Sequence, residues 1–209
     1  MPPRQNDAPI RLFVIGATGR TGRLLLEQAL GRGHRVTAFA RNPSSLEPTA
    51  NLEIVVGDVR SPDQLAGALP GHDVAVSILG HTSAGDATIL RDGAEAMLAA
   101  LQRAEVSRAI VVSQGLAFPS RNPIVLLIRL LLARTLADSM AMENLVRSAA
   151  IDWTIVRPPM LKSGNAGRGY RVHPNEVGGR WSMQRADLAT FLLDEAERGD
   201  YRRTIVGVD

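Results

Sequence analysis

Short apolar runs alternate with segments of helical periodicity along almost the whole chain of 209 residues. A run such as Arg11–Ile15 (RLFVI) is nearly continuous in apolar residues, which is typical of a strand buried on both faces of a parallel sheet. The segments between such runs place apolar residues three or four positions apart, as at Leu90, Ala94 and Met97, and this spacing predicts helices that pack on the sheet. The predicted strands are 11–15, 35–40, 52–56, 73–79, 108–112, 152–156 and 204–208, and the predicted helices are 20–30, 62–69, 90–101, 123–149 with a break near Arg134, and 187–197.

This alternation indicates one fold class. Parallel neighbouring strands need crossover helices, and these crossovers are right-handed, so helices come to cover both faces of the sheet. We therefore predict a doubly wound α/β fold with a mostly parallel sheet in a single domain spanning 1–209. Residues 1–9 are expected to form a flexible tail, and the glycine-rich segment 163–181 is a candidate lid over a binding site.

The turn between the first predicted strand and helix carries three glycines, each three residues from the next, in the sequence IGATGRTG. In a doubly wound fold this turn lies at the carboxyl edge of the sheet. There Gly16 permits a tight turn, Gly19 lets the backbone approach a pyrophosphate, and Gly22 lets the helix lie close to the sheet. Free N–H groups and the helix dipole then hold the phosphates. The motif predicts a dinucleotide site formed by Gly16, Ala17, Thr18, Gly19, Arg20, Thr21 and Gly22.

The end of the second predicted strand indicates which dinucleotide is bound. An NAD site places Asp or Glu there to accept hydrogen bonds from the ribose hydroxyls, whereas this strand ends in Ala40 followed by Arg41. Arg20, in the glycine turn, can approach the same place. Two guanidinium groups without a carboxylate suit the 2′-phosphate of NADP, so NADP is predicted in preference to NAD. The alternative for Arg41 is a solvated turn residue.

Composition narrows the class of protein further. The net charge is +3, but all except one of the 24 basic residues are arginines scattered among 21 acidic ones, and aromatic residues make up 4%, so no nucleic-acid partner is expected. The absence of cysteine excludes disulfides and thiolate metal sites, and no metal site is predicted. The apolar segment 124–133 is interrupted by Arg129 and is too short to span a bilayer, so a cytoplasmic protein without a membrane partner is expected. That segment could instead pack in the core, line a substrate pocket or form a dimer face.

Several motifs together resemble one superfamily: GATGRTG (16–22), ARNPSSL (40–46), VVGDVRS (55–61), VVSQG (111–115) and DWTIVRPPML (152–161). These motifs are similar to those of the atypical short-chain dehydrogenases/reductases, and within them to the small NAD(P)H-binding proteins of the biliverdin reductase B (flavin reductase) and NmrA-like type. The resemblance implies that Asp58 and Val59 contact the adenine and that Leu79 and Gly80 lie behind the ribose and nicotinamide. It also implies that Ser113 is the active-site serine and that Pro158, Pro159 and Met160 line the nicotinamide end. Asp58 could instead act as a turn residue or helix cap, and Ser113 could simply cap its strand.

The chain departs from the superfamily pattern at the catalytic pair. Conventional members carry Tyr-x-x-x-Lys on the long helix after the fifth strand, where the lysine lowers the pKa of the tyrosine. The only lysine here is Lys162, and Pro158 stands four residues before it. The matching helical positions hold Ser139 and Glu143, and a carboxylate would raise the pKa of a neighbouring phenol. The conventional carbonyl-reducing machinery is therefore missing.

The function predicted from these features is hydride transfer from NADP(H) to a flat conjugated acceptor of the flavin or quinone type, because such an acceptor needs little from the protein beyond alignment. Ser113 would orient the nicotinamide or polarise the acceptor, with His81, His173 and Tyr170 as alternative proton donors. The alternative function is that of an NmrA-like dinucleotide sensor without turnover, and an epimerase or dehydratase is less favoured. A monomer or a homodimer is expected.

Overall fold

The computed structural model describes residues 8–81, 87–164 and 169–209. The strands are β1 (Arg11–Ile15), β2 (Arg35–Ala40), β3 (Leu52–Val56), β4 (Val74–Ser77), β5 (Arg108–Val112), β6 (Asp152–Arg157), β7 (Met160–Lys162), β8 (Val172–Pro174), β9 (Ser182–Gln184) and β10 (Thr204–Val208). The helices are α1 (Arg20–Gly31), α2 (Pro62–Ala68), α3 (Ile89–Arg103), α4 (Pro123–Leu131), α5 (Ala133–Ser148) and α6 (Arg185–Arg198).

The main sheet has the strand order β3-β2-β1-β4-β5-β6-β10-β8. All neighbouring strands in it are parallel except β8, which runs antiparallel to β10. The order reverses between β1 and β4, and Ile15 at the end of β1 lies between Phe39 of β2 and Ser77 of β4. A doubly wound sheet opens a crevice beyond the carboxyl ends of its strands at this reversal, so the predicted fold class is confirmed and the position of a ligand site follows from it.

Two hydrophobic layers cover the sheet. Helices α1 and α6 pack against each other on one face, and α2, α3 and α5 pack together on the other. Along β1, Leu12 and Val14 belong to the core beneath α1 and α6, while Phe13 and Ile15 belong to the opposite core. This alternation with a period of two explains why a strand buried on both faces reads as a continuous apolar run.

The predicted helix 123–149 is two helices that meet at Leu132, where the backbone leaves the helical region with φ of −103° and ψ of 22°. The break comes two residues before the predicted one. None of the residues of α4 is buried, so core packing, one of the three alternatives for this apolar segment, does not describe it.

The second half of the segment predicted as a lid lies along the edge of the main sheet. Val172–Pro174 forms β8, and Arg171 exchanges two backbone hydrogen bonds with Asp209 beside it. The backbone N–H of Arg180 donates to the Asp209 carboxylate at 2.9 Å. These bonds hold the segment from β8 to Arg180 on the edge of the sheet, while residues 165–168 of the predicted lid and 1–7 of the predicted tail lie outside the described residues.

No helix in the described ranges is both long enough and apolar enough to cross a membrane.

Candidate functional site

The glycine turn is built by backbone contacts that leave no room for side chains at two of its three glycines. Gly16 has φ of +85°, a conformation that favours glycine, and a Cβ there would lie 2.6 Å from the carbonyl oxygen of Ile78. A Cβ at Gly22 would lie 2.2 Å from the carbonyl oxygen of Gly16. The turn therefore packs directly against both the first turn of α1 and the segment that follows β4.

Gly19 plays a different part. A Cβ there would lie 3.2 Å from the carbonyl oxygen of Gly16, a tight contact but a less severe one than those at Gly16 and Gly22. Gly19 is also the N-cap of α1, where no side chain caps the helix and no acidic residue lies in the first turn. The N–H groups and positive end of the α1 dipole can thus receive an anion, and this geometry fits the phosphates of a dinucleotide.

A cleft of about 330 Å³ opens above this turn, between the ends of β1, β2 and β4. Its walls are largely apolar, and a Cβ at Gly57 would lie 2.3 Å from the Phe39 ring, so the bare backbone at Gly57 lets that ring occupy the wall. The cleft can exclude water from a flat ring system. The lining residues are Ile15, Gly16, Thr18, Gly19, Phe39, Ala40, Arg41, Asn42, Gly57, Val59, Ile78, Leu79, Gly80 and Ile89.

The remaining residues predicted to bind the adenine half take structural positions beside this cleft. Asp58 accepts a hydrogen bond from the backbone N–H of Arg60 at 3.0 Å, and its own N–H donates to Gln64, so its carboxylate caps its own turn. Ala17 and Thr21 are buried under the glycine turn. Asp58 therefore has the hydrogen bonds of a turn residue, and its contact with the adenine stays a prediction.

Arg23, which the sequence did not single out, joins the glycine turn to the loop that follows β2. Arg23 donates to the Thr18 carbonyl oxygen at 3.0 Å and to Ser45 Oγ at 2.6 Å. It thereby connects the glycine turn to the loop that follows β2, next to Arg41. Its position one helical turn after Arg20 was the available signal, because residues three apart lie on the same side of a helix.

Arg20 lies instead near the start of α6. Burial and the proximity of Arg20 lower the pKa of Arg185, the first residue of α6. Each guanidinium therefore stands at the positive end of a helix, beside another positive charge, an arrangement that is unfavourable unless an anion lies between them. The junction of α1 and α6 is thus positively charged beside the glycine turn. Arg185 is a second residue that the sequence did not single out.

Beyond the cleft, Ser113 at the end of β5 belongs to a buried network. Its hydroxyl donates to Glu143 Oε1 at 2.5 Å, and the Glu143 carboxylate accepts two further hydrogen bonds from Arg157, at 2.9 and 2.5 Å. The side chains of Glu143 and Arg157 are 3% and 9% exposed, so this bidentate pair is almost completely shielded from water. Phe118 covers the guanidinium, whose carbon lies 4.6 Å from the ring centroid.

This network decides what Ser113 can do. A serine hydroxyl has one hydrogen to donate, and that hydrogen is committed to Glu143, so only the oxygen lone pairs are available to a ligand. Ser113 can accept a hydrogen bond from an amide N–H but cannot at the same time donate one to a carbonyl oxygen. Of the two roles predicted for Ser113, the geometry thus favours orientation over polarisation.

Ser139, which occupies the other helical position of the missing catalytic pair, is also buried and hydrogen-bonded. Ser139 accepts a hydrogen bond from Gln114 at 2.7 Å and donates to the carbonyl oxygen of Thr135, and it is 1% exposed. Ser139 and Glu143 therefore hold the segment after β5 on α5. They stabilise the position of Ser113 and provide no proton-donating phenol.

The three alternative proton donors occupy quite different places. His81 Nε2 lies 2.8 Å from Asp138, whose buried carboxylate also accepts from the N–H groups of Leu90 and Arg91 at the start of α3. Since His81 follows Gly80 of the cleft, this contact holds it at the carboxyl edge of the sheet. His173 faces Asp209 at 3.4 Å, on the far strand β8.

Tyr170 is removed from the site. Its hydroxyl donates to Asp194, which also pairs with Arg32 after the last turn of α1. Burial, followed by the bond to Asp194, raises the pKa of Tyr170 above its usual value. Because α1 begins at the glycine turn and is about 18 Å long, Tyr170 is bound at the end of the helix opposite the cofactor turn.

The residues predicted for the nicotinamide end follow β6. Pro158 is buried, and its carbonyl oxygen accepts from the N–H of Gly115 at 2.7 Å, which joins the ends of β5 and β6. Pro159 is half-buried, and Met160 on β7 is 63% exposed. These residues stand beside Ser113 at the same edge of the sheet, where the sequence placed them, and their contact with a cofactor stays a prediction.

Comparison with known proteins agrees with this architecture. An uncharacterized chloroplastic protein of Arabidopsis thaliana is 30% identical over 209 residues, which cover 89% of this chain and 71% of that one. A short-chain dehydrogenase/reductase from Veillonella parvula, solved in complex with NADP, is 19% identical, with a TM-score of 0.77 and coverage of 96% and 94%. A protein from Streptococcus pneumoniae assigned as an NADH-flavin reductase is 20% identical, with a TM-score of 0.77 and coverage of 95% and 98%.

At these identities the two solved structures show the shared fold alone. The family is shown by a model described as NAD(P)H-binding, which matches residues 16–198 from the glycine turn to the end of α6. The chain therefore belongs to the NAD(P)H-binding family.

Proposed function

We propose that the protein is an NADP(H)-dependent reductase that transfers hydride to a flat conjugated acceptor of the flavin or quinone type. The observation that carries the proposal is the hydrogen bond from Ser113 to Glu143, which commits the serine proton to a carboxylate already paired with Arg157. A site of this kind aligns two ring systems but has no tyrosine–lysine pair for a developing alkoxide. The likeness to a protein assigned as an NADH-flavin reductase supports this choice.

The chain's own residues would contribute binding and alignment. The N–H groups in the first turn of α1 receive the phosphates, and the apolar wall of Phe39, Val59 and Leu79 excludes water from the ring systems. Ser113 accepts a hydrogen bond from an amide N–H and so fixes the orientation of the reacting ring. The bound dinucleotide supplies the hydride chemistry itself.

The class of acceptor follows from how the acceptor takes up the negative charge of the hydride. A flavin or a quinone delocalises the charge that arrives with a hydride, whereas a simple aldehyde becomes an alkoxide and needs a matched proton donor in the transition state. We therefore expect NADPH to be oxidised by flavins or quinones, with little turnover of unactivated carbonyls. Ser113→Ala is expected to slow the reaction by up to about 10²–10³-fold and to change NADPH affinity much less. Stopped-flow absorbance of the reduced nicotinamide measures both.

His81→Gln provides the comparison for this experiment, because the histidine is held by Asp138 at the same edge of the sheet. If His81 protonates the reduced acceptor, this variant lowers the rate only with acceptors that must take up a proton. Robust reduction of aldehydes by the unmodified protein would contradict the proposal, since it would require a donor that the network around Ser113 does not contain.

Cofactor preference is a separate expectation. Arg41 and Asn42 line the cleft, and Arg23 is bonded to Ser45 beside them, where a 2′-phosphate would lie. NADPH is therefore expected to bind more tightly than NADH, and Arg41→Ala should reduce the difference by roughly ten- to a hundredfold, the usual scale for one hydrogen bond to a charged group. Titration calorimetry with both dinucleotides checks this. Equal affinities in the unmodified protein would contradict it, while Arg35→Ala, at the other end of β2, is the control.

The alternative function is that of a dinucleotide sensor of the NmrA-like type, which the same commitment of the Ser113 proton also favours. A sensor would bind the oxidised and reduced dinucleotides with different affinities and oxidise NADPH with no acceptor of the panel. That combination of results would decide for the sensor.

A further inference from the structure

Helix α4 presents an apolar surface that nothing in the described structure covers. The helix starts after Asn122, whose side chain accepts from the N–H of Ile124 and caps it, so its helical form is well determined by local signals. The exposed fractions of its outward residues are 63% for Ile124, 48% for Leu126, 57% for Leu127, 73% for Leu130 and 74% for Leu131. Five large aliphatic side chains on one short helix form a contiguous patch, which marks a contact surface.

The polarity of α4 is inverted relative to that of an ordinary surface helix. At 100° per residue, Ile124, Leu127 and Leu131 share one face, with Leu126 and Leu130 beside them. The half-buried residues on the other side include Arg129, so the helix turns its only charge toward the protein and its leucines outward. Normally the apolar stripe of such a helix faces the core. The outward face of α4 is therefore suited to an apolar phase.

The charges around the patch indicate which apolar phase fits. Between Glu105 and Asp138 the chain contains no acidic residue, whereas Arg121, Arg129 and Arg134 lie before, within and after the helix. If two copies met through this face, these arginines would approach one another without a carboxylate between them. An anionic lipid surface offers both acyl chains for the leucines and phosphates for the arginines.

We propose that α4 lies in the interface of a bilayer rich in anionic phospholipid. Its outward leucines enter the acyl boundary, and Arg121 and Arg134 bind headgroup phosphates. Nine residues cannot span the hydrocarbon core, but an amphipathic helix of this length can lie in the plane of the interface. Peripheral docking departs from the expectation of no membrane partner drawn from the sequence.

The position of α4 gives this docking a consequence for the acceptor. The helix follows the end of β5, and the exposed Met160 and Trp181 on the β7–β9 side follow the end of β6, so both surfaces lie at the edge of the sheet that holds Ser113. A bilayer at this edge would present a lipid-soluble quinone to the site. That extension rests on the proposed function, whereas the docking itself does not.

Sedimentation with vesicles tests the docking without cofactor or acceptor. The protein is expected to bind vesicles that contain phosphatidylglycerol more tightly than vesicles of phosphatidylcholine alone, and added salt should weaken the binding. Leu130→Gln/Leu131→Gln, at the two most exposed positions of the patch, is expected to lower the partition coefficient at least about tenfold. Arg121→Gln/Arg134→Gln should remove the preference for the anionic vesicles.

Two control variants separate the α4 surface from general effects. Met140→Gln replaces an exposed apolar residue of α5. Arg35→Gln/Arg103→Gln removes two exposed charges away from α4. Neither variant is expected to change vesicle binding. Circular dichroism verifies that each variant is folded. Equal binding by the unmodified protein and Leu130→Gln/Leu131→Gln would overturn the proposal. So would a dimer in sedimentation velocity that the same variant dissociates, because that result assigns the surface to a second copy.

Discussion

Replacing Gly19 by valine is expected to weaken NADPH binding by at least about a hundredfold while leaving the fold intact. A Cβ at Gly19 would meet the carbonyl oxygen of Gly16 at 3.2 Å, so a shift of a few tenths of an ångström in the turn admits a side chain, but valine would occupy the position that the pyrophosphate needs above the start of α1. Titration calorimetry measures the loss of binding, and thermal melting followed by circular dichroism measures the fold.

Two other glycines of α1 provide the comparison. Gly22→Ala would place its Cβ 2.2 Å from the carbonyl oxygen of Gly16, a backbone atom that cannot move without opening the turn, so this variant should lose stability. A Cβ at Gly31 has no neighbour within 4 Å, and Gly31→Ala should leave both stability and binding nearly unchanged. Normal NADPH binding by a folded Gly19→Val variant would show that the phosphates lie elsewhere.

Arg157→Met is expected to lower the free energy of unfolding by about 3–5 kcal/mol, the usual cost of leaving one member of a buried ion pair without its partner. The Glu143 carboxylate would then keep only the hydroxyl of Ser113 as a hydrogen-bond donor among the bonds described above, in a place where its side chain is 3% exposed. For a chain of this size the melting temperature should fall by roughly 6–20 °C. Differential scanning calorimetry measures it.

The double variant Glu143→Leu/Arg157→Met distinguishes a lost partner from lost packing. If the cost comes from the stranded carboxylate, removing both charges should restore most of the stability, because buried ion pairs are often replaceable by apolar residues of similar volume. The exposed pair of Arg103 and Asp63 is the matched control, and Arg103→Met should change stability by less than about 1 kcal/mol. A double variant as unstable as the single one would contradict this account.

Much of the fold could be predicted from sequence because the strands of a covered parallel sheet have a strong pattern. The bounds of β1, β2, β3, β5 and β10 agree with the apolar runs from which they were predicted. Strands β7, β8 and β9 were missed because each has three residues, too few for any period to be recognised. The break at Leu132 was misplaced because it falls within a run of leucines, with neither glycine nor proline to mark it.

The candidate site also has one part that the sequence predicts and one part that it does not. The glycine turn is local in sequence, so its spacing and its place between strand and helix could be recognised directly. The network of Ser113, Glu143 and Arg157 joins the end of β5, helix α5 and the end of β6. No regular spacing in the sequence relates these three residues. Two signals were available in the sequence: Arg157 follows the apolar run DWTIV directly, and Glu143 lies among the apolar positions of a helix. A charged side chain at a buried position needs an ionic partner.

The short strand β7 also has a practical consequence. It carries Lys162, the sole lysine of the chain, in an exposed position two residues after Met160. Amine-reactive reagents therefore meet one side-chain target, which peptide mass spectrometry distinguishes from the terminal amine. A fluorophore coupled there would stand at the edge where cofactor, acceptor and lipid are proposed to meet, and its emission would report their arrival without any substitution in the chain.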